Sequence, residues 1–140
     1  MTAARATSPD IVAAWSWRLP FALAAARTAR LNVTVALRHA RVEQQTLDDA
    51  RVVVSELLGN ALRHARANID GSIKVDLAVT DDEVIIEVSD GGSATLPALT
   101  NPLPLAPNGR GLAVVRTLAR SWGVRESPAG NVVFGFLGRG

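Results

Sequence analysis

The chain has 140 residues, enough for one domain with a real core, and 48% of them are hydrophobic, which excludes global disorder. It has no cysteine and two histidines, His39 and His64, so disulfides, thiolate metal sites and a cysteine nucleophile are excluded and a multi-histidine metal site is not expected. The formal charge is +2, yet the pI is about 10.4, because fourteen of the fifteen basic residues are arginines, spread from Arg5 to Arg139; with no tyrosine and no basic stripe, direct nucleic-acid binding is not expected.

Residues 1–14 read as a flexible leader, with Ser8-Pro9-Asp10 as a turn, and 15–140 as a single domain. The N-terminus lacks the uninterrupted apolar run of a signal peptide, and "LPFALAAARTARL" is too short and too charged to span a bilayer. A cytoplasmic protein without membrane contact is expected. "WSWRL", 15–19, alternates apolar and polar residues and reads as a first strand. Pro20 precedes an Ala-rich helix to about His39. Thr46 and Asp49 resemble a capping box, so the next helix is expected to open at Thr46 and to run to about Arg66, where Asn68, Asp70 and Gly71 stop it.

"IKVDLAV", 73–79, and "VIIEVS", 84–89, alternate with period two around a Thr-Asp-Asp-Glu turn and form an antiparallel hairpin. Residues 90–108 break the composition: four of the seven prolines fall there, and a loop this long in a small domain suits a lid. "GRGLAVVRTLARSW" starts a helix at Gly109 and Gly111; "GVRES", the turn "PAGN" and "VVFGFL" close the chain as another hairpin. The order predicts an α+β fold: a two-layer α/β sandwich with a mixed, largely antiparallel sheet and helices on one face.

Three places carry chemistry, each with an ordinary alternative. On a wheel of the helix through residue 56, Ala50, Val54, Leu57, Leu58, Ala61 and Ala65 share one face, with Glu56 and Asn60 about 40° apart on its edge. The pair either borders a cleft, or is a surface acid paired with Arg51 or Arg63 beside a surface amide. Asp90-Gly91-Gly92 follows a strand directly: a strand end can fix a carboxylate in a pocket, and the same residues make ordinary turns. Gly109-Arg110-Gly111-Leu112 opens a helix, where free N–H groups favour an anion, or it is simply a flexible start. It is neither a P-loop nor a Rossmann fingerprint. His64, one turn after Asn60, reads as a packed or hydrogen-bonded histidine.

As an ordered set, Glu-x-x-x-Asn in a helix, Asp-Gly-Gly at a strand end and Gly-x-Gly-Leu at a helix start resemble the Bergerat-type ATP-binding fold of gyrase, heat-shock chaperones, histidine kinases and MutL. More narrowly the chain resembles the stand-alone anti-sigma-factor serine/threonine kinases. "VVVSELLGNALRHA" matches their N box, "VSDGG" the first glycine box and "NGRGLAVVRTLARSWGV" the second, so the resemblance covers residues 15–137. It implies ATP or ADP and Mg²⁺ as cofactors, with Asn60 as the metal ligand and Glu56 as the general base. It further implies that Asp90 accepts from the adenine amino group, that Gly92 gives the base room, and that Gly109, Gly111 and Leu112 cradle phosphates beside Arg110, with 93–108 as the lid. The implied activity is phosphorylation of a Ser or Thr on a STAS-type anti-anti-sigma partner, together with sequestration of a sigma factor. Monomer and homodimer both stay open. Asn131 stands where the family commonly has a threonine. A nucleotide-gated binding module without phosphate transfer is the alternative; a catalytic domain cut from a larger histidine kinase is the weaker one.

Overall fold

The computed structural model describes residues 10–92 and 110–139. In chain order they form β1 (Ile11–Pro20), α1 (Ala24–His39), α2 (Gln44–His64), β2 (Ser72–Thr80), β3 (Glu83–Ser89), α3 (Arg110–Leu118), β4 (Ser121–Ser127) and β5 (Gly130–Gly138). The strands make one five-stranded sheet in the order β1-β2-β3-β5-β4. All four pairings are antiparallel, so the sheet is not mixed among the described residues.

The period-two pattern produces two faces. Ile73, Val75, Leu77 and Val79 of β2, Val84, Ile86 and Val88 of β3, and Val133 and Leu137 of β5 are buried. Against them lie Ala25, Ala29, Val33, Ala36 and Leu37 of α1 and Leu47, Ala50, Val53, Val54, Leu57, Leu58 and Ala61 of α2. These recur every three or four residues, one helix stripe each. Every fully buried Leu, Ile or Val contributes about 1.5–3 kcal/mol relative to exposure. Gly135 lets α2 come close to β5: a Cβ there would stand 3.4 Å from Val53 Cγ1. The neighbours of Gly135 in β5 turn the other way. Phe134 and Phe136 meet edge to face at 5.5 Å, and the Arg125 guanidinium lies 5.3 Å from the Phe134 ring centre.

Several boundaries differ from the sequence expectation. β1 starts at Ile11, so residues 11–14 of the expected leader are strand, paired with β2 across an irregularity between Ile11 and Ala13. Pro20 is the last residue of β1, opposite Ser72, and α1 begins only at Ala24. α2 begins at Gln44 and ends at His64, with no side-chain cap on its N-cap residue Glu43. Gln44 and Gln45 extend the helix because their amides donate one turn ahead to Asp48 and Asp49, each at 2.9 Å. Thr46 is therefore inside the helix and buried; its hydroxyl donates to the carbonyls of Arg139 (2.9 Å) and Gly138 (3.3 Å), fastening α2 to the end of β5. Ser121 and Trp122, expected in the last helix, belong to β4.

Candidate functional site

α2 positions two of the candidate side chains. Glu56 is half-buried and Asn60 is buried, 9% exposed, so Asn60 is not a surface amide. Glu56 forms no ion pair with Arg51, Arg63 or any other described residue. The wheel explains both placements: the pair sits where the apolar stripe ends, and Asn60 lies nearer the buried side.

The end of α2 is laced directly to the Asp90 turn. After Ala65 the chain straightens, and Arg66 exchanges two backbone bonds with the glycines: its N–H donates to Gly92 O (2.9 Å) and its carbonyl accepts from Gly91 N–H (2.8 Å). Asn68 Nδ2 donates to Ser89 O at 3.1 Å. Gly91 permits this approach, since a Cβ there would fall 2.1 Å from Ala67 O. On the other side Asp90 N–H donates to Asn131 O at 3.0 Å. Gly130, at φ +147°, passes so close that a Cβ would meet Asp90 O at 1.9 Å. The helix bearing Glu56 and Asn60, the β3 end and the β4–β5 turn thus converge on one backbone junction.

Asp90 is 4% exposed. Its Oδ1 accepts from the Gly92 N–H at 2.7 Å, which fixes the carboxylate rotamer. Burial pushes its pKa above the ordinary aspartate value, and the N–H groups of Gly92 and Asn131 act in the opposite direction. A buried carboxylate with one oxygen engaged keeps acceptor capacity for a ligand N–H. Asn60 likewise has an amide for which no partner stands among the described residues, and among those residues no fully buried side-chain polar atom is left unsatisfied.

Arg110, Gly111 and Leu112 form the first turn of α3, which packs on α2. Gly109 and the 93–108 lid lie outside the described residues. His64 is the exposed last residue of α2. The sequence pattern marks Arg66 and Asn68 only as the end of α2 and Gly130 only as part of a turn. They act through backbone groups or bind backbone, and the available signal was Gly130 in the turn before the last strand.

Among the described residues, no helix is long and apolar enough to cross a membrane. In sequence the chain is similar to an anti-sigma F factor of Clostridium botulinum, 33% identical over 79 residues, covering 51% of this chain and 55% of the relative. It is also similar to the serine-protein kinase RsbW of Listeria monocytogenes, 29% identical over 66 residues, covering 46% of this chain and 42% of the relative. The chain thus spans about half the length of the curated relatives it matches. Two solved structures share the fold. One contains the RsbU and RsbW domains of a Mycobacterium tuberculosis protein, with TM-score 0.69, 22% identity, and coverage of 90% of this chain and 32% of that one. The other is the SiaB–SiaC complex of Pseudomonas aeruginosa, with TM-score 0.64, 12% identity, and coverage of 98% of this chain and 95% of that one. Residues 19–134, most of the chain and all of the junction around Asp90, match the histidine kinase-like ATPase domain, and the chain belongs to that family.

Proposed function

We propose that this protein binds Mg-ATP and phosphorylates a Ser or Thr of a STAS-type anti-anti-sigma partner, and that it sequesters a sigma factor under the control of that phosphorylation. The observation that carries the reading is Glu56. It is a half-buried carboxylate without an ion-pair partner among the described residues, one turn before the buried Asn60 on the helix laced to the Asp90 turn. A structural surface acid would be expected to find one of the neighbouring arginines; a general base must stay free to take a proton.

Each residue then has a task. Asp90 accepts from the adenine amino group, which selects adenine over guanine, and Gly92 leaves room beside the base. Asn60 offers its amide oxygen to Mg²⁺. No group of three or more His, Asp or Glu side chains stands ready to hold a metal among the described residues. A single protein oxygen fits a cation that arrives on the phosphates and keeps several waters. When bound, Mg²⁺ neutralises charge on the β- and γ-phosphates. By the family resemblance Gly109, Arg110, Gly111 and Leu112 would cradle the phosphates. Glu56 takes the proton from the acceptor hydroxyl while that oxygen bonds to the γ-phosphorus, the β–γ bridge breaks and ADP leaves.

The test is Glu56→Gln, which keeps shape and helix propensity but cannot accept a proton. Labelled ATP and STAS proteins of the same genome are assayed under single-turnover conditions. ATP affinity is expected to stay near normal while transfer slows by roughly tenfold or more. Equal transfer rates would remove Glu56 from the role. The second reading, a nucleotide-gated binding module, is favoured by Asn131, an amide where the family resemblance leads to the expectation of a threonine. It is the one to adopt if the wild type binds ATP and a STAS partner without labelling it.

A further inference from the structure

At the end of the sheet far from Asp90, the described helices are fastened to one short stretch of β5. Gly138 lies seven residues beyond Asn131 in that strand, about 24 Å along it. There Thr46 of α2 donates to the carbonyls of Gly138 and Arg139. Arg139 Nη2 donates to Ala40 O at the end of α1 (3.2 Å), and its Nη1 donates to Thr80 O (2.8 Å). α3 ends at Leu118, and two residues later the Arg120 N–H donates to Phe136 O at 2.7 Å.

The Arg120 side chain then crosses the strand instead of extending into water. A Cβ on Gly138 would stand 2.7 Å from its Nη2, 2.9 Å from its Nε and 3.1 Å from its Cζ, so the guanidinium fills the space of the missing side chain. Gly138 has no positive φ, so the backbone does not require glycine there. A glycine inside a strand weakens it, and close approach by another group is a physical reason to keep one. Beyond Gly138, Arg120 Nη1 stands 3.6 Å from Oε2 of the buried Glu83. Glu83 is the cross-strand partner of Gly138, and its N–H donates to Thr80 Oγ1 at 2.9 Å, so the carboxylate hangs from a fixed backbone. The Arg120 side chain is 58% exposed, and an ion pair this open adds little stability. Its effect is on direction: it fixes how the chain leaves α3.

We propose that Arg120 is a positioning residue for the nucleotide phosphates. Lodged between Gly138 and Glu83, it fixes the end of α3 on the part of β5 that also holds the start of α2. α3 packs on α2 and is only nine residues long, so with its end fixed, its direction decides where its start stands relative to Asn60. The assignment rests on the nucleotide-binding reading above and adds which part of the ligand depends on this anchor. That part is the phosphates, at the start of α3. The base is independent of it, because the Asp90 turn is held separately by Arg66, Gly92 and Asn131.

The experiment compares the full chain with Arg120→Ala, Gly138→Ala and the double variant. Gly138→Ala evicts the guanidinium without removing a charge, so it tests the same anchor if Arg120→Ala unfolds the chain. Urea titrations report folding, calorimetry gives the Kd for Mg-ATP, and hydrogen exchange at saturating Mg-ATP gives protection along the chain. ATP affinity is expected to fall roughly three- to tenfold in each single variant. It is expected to fall no further in the double variant, since the new methyl acts only through Arg120. Protection by ATP is expected to drop over residues 110–118 and to persist over 88–92. Unchanged affinity in both single variants overturns the anchor and leaves the nucleotide site standing. Equal loss of protection over both segments, or additive losses in the double variant, means that the substitutions loosen the fold generally, and overturns it too. A parent chain that binds no ATP ends the site reading itself, and the anchor with it.

Discussion

Asp90 is a single buried carboxylate at which a stability cost and the proposed ligand contact can be told apart. Burial raises its pKa, so its contribution to stability is full below the unfolded-state value and declines as pH rises through the folded-state value. Ionised Asp90 is therefore a cost to the empty protein at neutral pH. Asparagine at this position keeps the acceptor for Gly92 N–H and carries no charge to desolvate. Asp90→Asn is expected to be at least as stable as the parent at pH 7 without nucleotide, the difference narrowing as pH falls into the acid range. The same variant is expected to lose about tenfold or more in ADP affinity, from roughly 1.5–3 kcal/mol of charge-assisted bonding. Urea titrations across pH and calorimetry with ADP read the two effects; full affinity in the variant would place the adenine elsewhere. Asn60 makes a different prediction. Alanine is the better helix former and leaves no partner stranded among the described residues. Asn60→Ala is thus expected to fold and to lose the Mg²⁺ dependence of ATP binding, measured by titration with and without the metal. A full metal effect in the variant would end the ligand role.

At the scale of elements, the turn between β4 and β5 packs against the proposed site, although its side chains lie outside the motifs. Gly130 has positive φ, and a Cβ there would overlap the Asp90 carbonyl at 1.9 Å. Gly71 also has positive φ, +82°, with nothing within 4 Å of its would-be Cβ. The two therefore separate conformational cost from crowding. Gly71→Ala is expected to cost about 1–2 kcal/mol of stability and to leave ADP binding intact. Gly130→Ala is expected to cost more and to weaken ADP binding as well, because the turn and Asp90 cannot both keep their places. Denaturant unfolding alongside calorimetry distinguishes them; equal nucleotide affinity in both variants would detach the turn from the site. The helices and hairpins themselves were readable because each writes its period into consecutive residues. Their ends were less so. Thr46 looked like a cap because its hydroxyl can bond backbone, and it does bond backbone, but that of Gly138 and Arg139, far away in sequence.

Over the whole molecule, α2 is the spine. It packs on the sheet, on α1 and on α3, and it holds both Glu56 and Asn60. A ligand bridging its edge, the Asp90 turn and the start of α3 would add to the backbone junction at Arg66 and the α2–α3 packing that already join these elements. Binding to the native state alone stabilises by about 2.7 kcal/mol at a hundredfold excess over Kd, which for a domain of this size raises Tm by roughly 5–10 °C. Scanning calorimetry with ADP and Mg²⁺ is expected to show such a shift, reduced by a chelator and by Asp90→Asn. An unchanged Tm at saturating nucleotide would contradict the proposed site.

The sequence by itself determined the element types, the two hairpins, the apolar stripe of α2, and the order in which Glu56, Asn60, Asp90 and the Gly109–Gly111 pair follow one another. These are local properties, set by periodicity and by the preferences of Gly, Pro and Asp. Tertiary structure decided what each candidate does with its surroundings. It inserted β5 between β3 and β4, so that the turn at Gly130 meets Asp90. It buried Asn60, left Glu56 without the arginine partners that spacing offered, anchored Asp90 through the backbone of Gly92 and Asn131, and held the two glycines after it through the backbone of Arg66. Backbone groups are chemically alike at every position, so a contact made by them leaves almost no trace in the residue pattern. Whether a charge pairs, or a polar side chain is buried, depends on chain segments brought together only when the sheet assembles.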